Sequence, residues 1–267
     1  SVNTQWMESL MIKKIITLFK LGRKVAKSDI LSITSKFKEP PLPVKIIFKI
    51  LSFSFSSKKE IASNKDEGER LSNSLESMGT TFIKLGQFLA TRPDIIGEEL
   101  SKKLEKLQDK LPPFSLIQAK EIIKNDLGIE SYNSIINLSE PVAAASIAQV
   151  HKAQINDDGI IKDVAIKILR PEIKKIFNEE IDAMMLFAYL IESFIKKAER
   201  LKLVEVVFLL KEITNLEMDL RFEAAAANEY AENTKNDVGF KVPQIYWNFT
   251  SENVMTLDWV DGVSIRE

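Results

Sequence analysis

Two β-type runs joined by a tight turn constrain the fold of this chain more than any other feature. The runs cover Ala148 to Ile155 and Val164 to Leu169, and Asn156-Asp157-Asp158-Gly159 between them favours the sharp reversal of a hairpin. Helical patterns precede and follow the hairpin, and β-type runs return at Gln244 to Asn248 and Val254 to Leu257. This order of elements predicts an α+β fold.

Hydrophobic residues at helical spacing predict the helices around this sheet. The expected helices run from Glu67 to Arg92, Gly97 to Asp109, Ser115 to Asp126, Ile173 to Ala198 and Val204 to Asn233. Ser115 is the expected N-cap of the third helix, and Gly128 is its expected stop. We therefore expect a basic amphipathic segment over residues 1–65, a helical extension over residues 66–130 and a sheet-bearing domain over residues 131–267.

Positive charge is concentrated at the start of the chain. Residues 1–60 contain 12 Lys/Arg and 4 Asp/Glu, although the whole chain has a net charge of −1. Because no nucleic-acid module is recognisable, we expect an anionic membrane surface and no nucleic acid as a partner. Amphipathic helices at Met7 to Val25 and Val44 to Phe55 fit that role, and packing of their apolar faces on the rest of the protein is the alternative. No apolar run reaches the roughly 18 residues that a membrane span needs.

Cysteine and histidine content limits the chemistry. The chain has no cysteine and one histidine, His151. This composition excludes disulfides, thiolate metal sites and multi-histidine metal centres, and it fits a reducing compartment.

The strand Val164-Ala165-Ile166-Lys167 places a small residue and an amine on one surface, because alternate side chains of a strand point to the same face. An adenine ring fits over Ala165 while the Lys167 ammonium meets phosphate oxygens. Taken alone, the pattern is weak, since a lysine that closes an apolar strand is commonly a solvated end.

The segment before this hairpin is rich in alanine and lacks glycine between Gly128 and Gly159. Its candidate nucleotide-binding residues are Ala143, Ala144, Ala145, Ser146, Ile147 and Ala148. Alanine permits close approach to phosphates but not the positive φ that glycine adopts freely, so we expect a stiff loop. Packing of the small residues under a helix is the alternative.

Acidic residues recur at Glu217, Asp219 and Glu223 within one predicted helix. Glu223 is placed to pair with Lys167 and fix its direction. Asp219 and Glu223 are four residues apart and share a helix face. Glu217 and Asp219 are then expected to be free for another cationic partner.

A fourth motif, Lys84-Leu85-Gly86-Gln87, lies in the first long predicted helix. Lys84 and Gln87 project from one side of that helix. Gly86 costs helix stability and therefore predicts a close neighbour.

Along the chain the four motifs follow the order K-x-G-Q, alanine-rich loop, Val164-Ala165-Ile166-Lys167 and the acidic residues, and in this order they resemble the UbiB/aarF-type atypical kinase family. The resemblance implies a protein-kinase-like N-lobe with a helical extension that carries the K-x-G-Q motif, and it implies binding of ATP or ADP. The candidate catalytic residues that it implies are Lys84, Gln87, Glu217 and Asp219, with the first pair lying near the second. Lys167, Glu223 and Ala165 would belong to the nucleotide site. Asp258 and Trp259 would form the hinge, whose backbone meets the adenine edge.

The resemblance also implies features beyond this stretch of sequence. We expect the chain to be an N-terminal part of such a kinase, with Mg²⁺ ligands in a C-lobe that it lacks. The implied role is support of ubiquinone biosynthesis on the cytoplasmic face of a bacterial inner membrane. Ubiquinone-pathway proteins or isoprenoid lipid intermediates are the implied partners. A catalytically inert membrane-associated scaffold and an ordinary protein kinase stay open as alternatives.

Overall fold

The computed structural model describes Lys20 and residues 67–105, 107, 111–194 and 202–263. Apart from Lys20, the predicted amphipathic segment over residues 1–65 lies outside this part of the chain. Among the helices that the structure describes, none has both the length and the hydropathy of a bilayer crossing.

The helices are α1 (Glu67–Met78), α2 (Thr80–Ala90), α3 (Pro93–Ile96), α4 (Glu98–Leu104), α5 (Leu116–Asn133), α6 (Ile173–Phe194), α7 (Leu203–Glu217) and α8 (Leu220–Asn233). The strands are β1 (Ile135–Ile136), β2 (Pro141–Ala144), β3 (Ala148–Asp157), β4 (Ile160–Leu169) and β5 (Val254–Asp258). The predicted α+β class is confirmed.

The chain divides into two compact units. One takes Ser1–Asp109 and Lys175–Glu212, and the other takes Lys110–Lys174 and Ile213–Glu267. This division does not coincide with the expected boundary at residue 130, because α5 packs Ala119 and Ile123 into the core of the sheet. The second unit therefore contains the sheet, α5 and α8.

The sheet is antiparallel throughout, with β3 paired to β1, β2 and β4, and β4 paired to β5. The predicted hairpin is confirmed, and Asp158 (φ 51°) and Gly159 (φ 86°) form its two-residue turn. Both residues have the positive φ that this tight reversal requires. The side chain of Asn156 supports the turn by accepting a hydrogen bond from the Gly159 N–H at 2.8 Å.

The strand predicted at Gln244 to Asn248 is wrong. Only an isolated bridge from Ile245 to Leu257 forms there, and a 3₁₀ turn follows at Trp247–Phe249. The chain turns because Tyr246 and Phe249 both pack into the core beneath the sheet.

Helix α5 covers one face of the sheet. Ser115 is its N-cap, as predicted, and forms a reciprocal capping box with Gln118. The helix does not stop at Gly128 as expected. The residue kinks the helix at φ 81°, and the helix continues to Asn133.

Two predicted helices are each divided in the structure. Gly79, at φ 105°, separates α1 from α2 where one helix was expected. Asp219 separates α7 from α8, since its backbone is extended at φ −126° and ψ 99°. Met218 and Leu220 on either side are both buried, and the Leu220 N–H donates to the Glu252 carbonyl at 3.0 Å.

Candidate functional site

Alternation along β4 sorts its side chains as the sequence predicts. Val164, Ile166 and Ile168 are fully buried on the α5 side. Ala165 and Lys167 take the opposite side and are half-buried. We call that surface the lysine face. The strand register adds neighbours from β3 and β5, so that the lysine face comprises Val150, Lys152, Ala165, Lys167, Met255 and Leu257.

Lys167 and Glu223 form the central contact of this face. The Lys167 Nζ atom lies 2.8 Å from Glu223 Oε1 and 2.7 Å from Oε2. The predicted contact is confirmed. The two side chains are 25% and 49% exposed, and at that exposure an ion pair contributes little to stability. What the pair does is hold the ammonium in one place over an accessible surface.

Asp219 does not have the environment that the sequence suggested. It is the N-cap of α8, so the expectation that it shares a helix face with Glu223 is wrong. Arg221 donates to its carboxylate through Nε at 2.9 Å and Nη2 at 2.7 Å. These hydrogen bonds lower the pKa of Asp219 below its ordinary value. The carboxylate therefore has a cationic partner in Arg221. Glu217 ends α7 and is half-buried.

Most residues of the alanine-rich loop are buried or half-buried. Ala143 is exposed, Ala144 and Ala145 are half-buried, and Ser146, Ile147 and Ala148 are buried. The Ala145 N–H donates to the Ala148 carbonyl at 2.8 Å and closes the turn. The roles predicted for these six residues in nucleotide binding stay predictions.

Two polar residues whose role was not predicted from the sequence hold this region from the α5 side. The Gln149 carboxamide accepts from the Phe114 N–H at 2.9 Å and donates to the Phe114 carbonyl at 3.2 Å. Its Nε2 also lies 2.9 Å from His151 Nε2, while His151 Nδ1 lies 2.8 Å from the Ser139 carbonyl. Because a carbonyl only accepts, His151 carries its proton on Nδ1 and accepts from Gln149. Burial lowers the pKa of His151.

Arg170 is a third residue that the sequence analysis missed. Its Nε and Nη2 atoms donate to the Ala145 carbonyl at 3.0 and 2.7 Å. Its Nη1 and Nη2 atoms donate to the carbonyls of Pro112 and Leu111 at 2.9 and 3.3 Å. For Gln149 and His151, the alternation of side chains along β3 could have given the signal. Both residues occupy core-facing positions, and buried polar side chains need hydrogen-bond partners.

Asp258 and Trp259 lie at the end of β5. Asp258 pairs with Val164 in the register, so its side chain is on the α5 side, opposite the lysine face. There its carboxylate accepts from the Tyr246 hydroxyl at 2.6 Å. The Trp259 ring lies under Lys152, with Nζ 4.7 Å from its centroid. Contact of this segment with adenine through its backbone stays a prediction.

The K-x-G-Q motif lies on α2, in the other compact unit. Lys84 and Gln87 are half-buried, and Gly86 is buried. A Cβ atom at Gly86 would come within 2.6 Å of Leu107 Cδ1 and 2.8 Å of Leu75 Cδ1. The close neighbour predicted for Gly86 is confirmed. That Lys84 and Gln87 lie near Glu217 and Asp219 stays a prediction.

A divalent metal is implied by the resemblance to kinases. Within the described residues, no three His, Cys, Asp or Glu side chains converge on a shared metal position. On the lysine face the carboxylate of Glu223 is engaged by Lys167. These residues do not by themselves fit a Mg²⁺ site.

Comparison with known proteins identifies the family of the chain. Residues 106–267 match the ABC1 atypical kinase-like domain. The chain belongs to this family. The ABC1 relatives include proteins described as "Probable protein kinase UbiB". One from Marinobacter nauticus is 34% identical over 86% of this chain and 41% of its own length. Another from Azotobacter vinelandii is 31% identical over 98% of this chain and 47% of its own length.

The predicted UbiB/aarF membership and the kinase-like N-lobe are therefore confirmed for this ABC1 chain. A third relative, from Vibrio cholerae, is 35% identical over 76% of the chain and 37% of its own length. The chain spans less than half the length of each of these three curated relatives.

Proposed function

We propose that this chain binds an adenine nucleotide on the lysine face. The observation that carries the proposal is the contact between Lys167 and Glu223. A lysine ammonium whose direction is fixed by a helix carboxylate is the part of a kinase site that meets the nucleotide phosphates. A free lysine on a flexible stem would lose more side-chain entropy on binding a phosphate.

The rest of the lysine face suits the base and ribose. Ala165 has only a methyl group, which leaves room for a flat ring above the strand. Leu257 lies opposite Ala165 in the register and Val150 lies opposite Lys167, so both supply apolar surface on this face. The segment from Asp258 to Trp259 would meet the adenine edge, and the alanine-rich loop would lie at the phosphate end.

For the whole protein we propose an atypical kinase or ATPase that uses ATP or ADP with Mg²⁺ and supports ubiquinone biosynthesis. The names of the curated relatives support the kinase class. In this proposal Lys84, Gln87, Glu217 and Asp219 act at the catalytic centre, and ubiquinone-pathway proteins or isoprenoid lipid intermediates are the partners. Bound Mg²⁺ would neutralise phosphate charge.

Calorimetric titration with ADP and ATP tests the nucleotide proposal, on protein expressed from its complete reading frame. We expect Lys167→Ala to weaken binding at least about tenfold, the scale of a charge-assisted hydrogen bond to phosphate. Lys162→Ala is the matched control, because Lys162 is similarly exposed and pairs with Asp157 on the face of β4 opposite the lysine face. Absence of binding, or binding indifferent to Lys167→Ala, would favour the inert scaffold.

The reaction type is tested by comparing ATP hydrolysis with phosphorylation of peptides. If the K-x-G-Q helix lies across the site where a protein substrate would dock, as the family resemblance implies, phosphorylation of peptides is expected to be negligible beside ATP hydrolysis. Robust peptide turnover would favour an ordinary protein kinase.

We also propose that the basic start of the chain binds an anionic membrane surface, on the cytoplasmic face of a bacterial inner membrane. The excess of 12 Lys/Arg over 4 Asp/Glu in residues 1–60 supports it. Vesicles with anionic lipid are expected to retain the protein at low ionic strength and release it as salt rises. Failure to co-sediment at low salt would contradict this role.

A further inference from the structure

Arg170 and Gln149 together tie the alanine-rich loop and the start of β3 to the segment that leads into α5. We call these two residues the loop latch. Arg170 bonds the Ala145 carbonyl with two N–H groups, and its backbone N–H donates to the Ile147 carbonyl at 2.8 Å. Two peptide carbonyls of one short turn are thus held by a single residue.

The backbone segment to which the loop latch connects, before α5, is itself stiff. Arg170 reaches the carbonyls of Leu111 and Pro112, and Gln149 bonds both backbone groups of Phe114. The intervening Pro112 and Pro113 have φ fixed by their rings. The loop is therefore fastened to a rigid stretch of backbone by several hydrogen bonds.

The orientation of the Ala145 carbonyl matters for any anion bound near the loop. Arg170 draws this oxygen toward the segment before α5, the helix that covers the face of the sheet opposite Lys167. A peptide flip would turn the partial negative charge of the oxygen toward bound phosphates and repel them. Glycine-rich loops tolerate such flips, and the latch opposes them here.

We propose that Arg170 is a positioning residue for the phosphate end of the nucleotide site, acting through the Ala145 carbonyl. This inference rests on the proposed function. In this proposal the selectivity for phosphate-bearing ligands depends in part on the Arg170 side chain, although that side chain does not contact the ligand. Gln149 contributes to the same fastening from β3.

The test compares ADP with adenosine, which lacks phosphates, by competition binding on the whole protein. In Arg170→Met the preference for ADP over adenosine is expected to fall about tenfold, while adenosine binding stays unchanged. Arg170→Lys keeps one donor group and is expected to lie between wild type and Arg170→Met. Lys162→Ala, on the face of β4 opposite Lys167, is expected to leave the preference unchanged.

Hydrogen exchange measured by mass spectrometry tests the latch itself without any nucleotide. Peptides covering residues 143–149 are expected to exchange at least about tenfold faster in both Arg170 variants, because the Ala145 N–H lies within the fastened turn. Should Arg170→Met prove unfolded, Arg170→Lys carries the same comparison.

An unchanged ADP preference in the Arg170 variants would overturn the inference, as would an equal loss of ADP and adenosine binding. Unchanged exchange at residues 143–149 would refute the latch directly. If the wild type binds no nucleotide, the proposed function fails, and the nucleotide role of Arg170 fails with it. In that case the exchange measurement still decides whether the latch exists.

Discussion

Lys167 on β4 and Glu223 on α8 are 56 residues apart in the chain, yet both carboxylate oxygens of Glu223 lie within 2.8 Å of the Lys167 ammonium. The pair joins the sheet to the helix on the lysine face. Since both side chains are partly exposed, solvent screens the attraction and its contribution to folding is small.

The Glu223→Gln variant therefore separates the effect of the pair on the orientation of the Lys167 ammonium from its effect on the stability of the protein. We expect the free energy of unfolding to change by less than about 1 kcal/mol, because the pair is solvent-accessible. Nucleotide affinity is expected to fall, since the amide holds the ammonium less firmly than the carboxylate does. Urea denaturation and calorimetric titration measure the two effects. A large loss of stability with unchanged affinity would show that the pair is structural.

The buried His151 predicts a pH-dependent stability. Burial lowers its pKa below the ordinary 6.5, so the unfolded chain binds the proton more readily than the folded one. The stabilisation is complete above about pH 6.5 and declines as the pH falls from there toward the pKa of the folded state. Thermal unfolding between pH 7.5 and 5.5 checks this, and His151→Asn is expected to flatten the slope. An unchanged slope in that variant would assign the pH dependence to other groups.

The hydrogen bond between Tyr246 and Asp258 is expected to contribute to the stability of the fold. Burial and the hydrogen bond to Asp258 raise the pKa of Tyr246, so its hydroxyl stays protonated and donates. Tyr246→Phe is expected to cost about 1.5 kcal/mol in denaturant unfolding, the scale of a hydrogen bond to a charged acceptor. Tyr230→Phe is the control, because Tyr230 is 54% exposed, and its effect is expected within about 0.5 kcal/mol. Equal effects of the two variants would count against the Tyr246 to Asp258 bond.

Replacement of Gly86 by alanine is expected to destabilise the protein. The added methyl would press on Leu107 and Leu75 at distances below 3 Å. Overpacking costs roughly 1–3 kcal/mol, and the gain in helix propensity returns at most about 1 kcal/mol. Gly86→Ala is therefore expected to lower the free energy of unfolding by about 1 kcal/mol, and adding Leu107→Val is expected to restore part of the loss. A stabilised Gly86→Ala variant would show that the leucine side chains move aside freely.

The sequence predicted the parts of this fold that local chemistry determines. The hairpin followed from Asp158 and Gly159, which accept positive φ, and the two faces of β4 followed from strict alternation. The contact of Lys167 with Glu223 followed from a motif order shared with kinases. The first two signals are written within a few neighbouring residues, whereas the third came from the order of separate motifs along the chain.

What the sequence did not predict depends on distant partners. The hydrophobic pattern around Asp219 predicts one continuous helix. The break there is seen only in the structure, where Asp219 is the N-cap of α8 and the Leu220 N–H donates a hydrogen bond to the Glu252 carbonyl. Arg170 and Gln149 bond backbone carbonyls whose position no local pattern encodes.

We propose above all that the Lys167 ammonium meets the phosphates of a bound nucleotide. An acyl phosphate derivative of ADP, which transfers its acyl group to an amine beside the phosphates, tests it by mass spectrometry of the labelled peptides. We expect Lys167 to be labelled, excess ADP to suppress this labelling, and Lys152 and Lys174 to react far less. Equal labelling of all three lysines, or labelling of Lys167 that ADP does not suppress, would contradict this proposal.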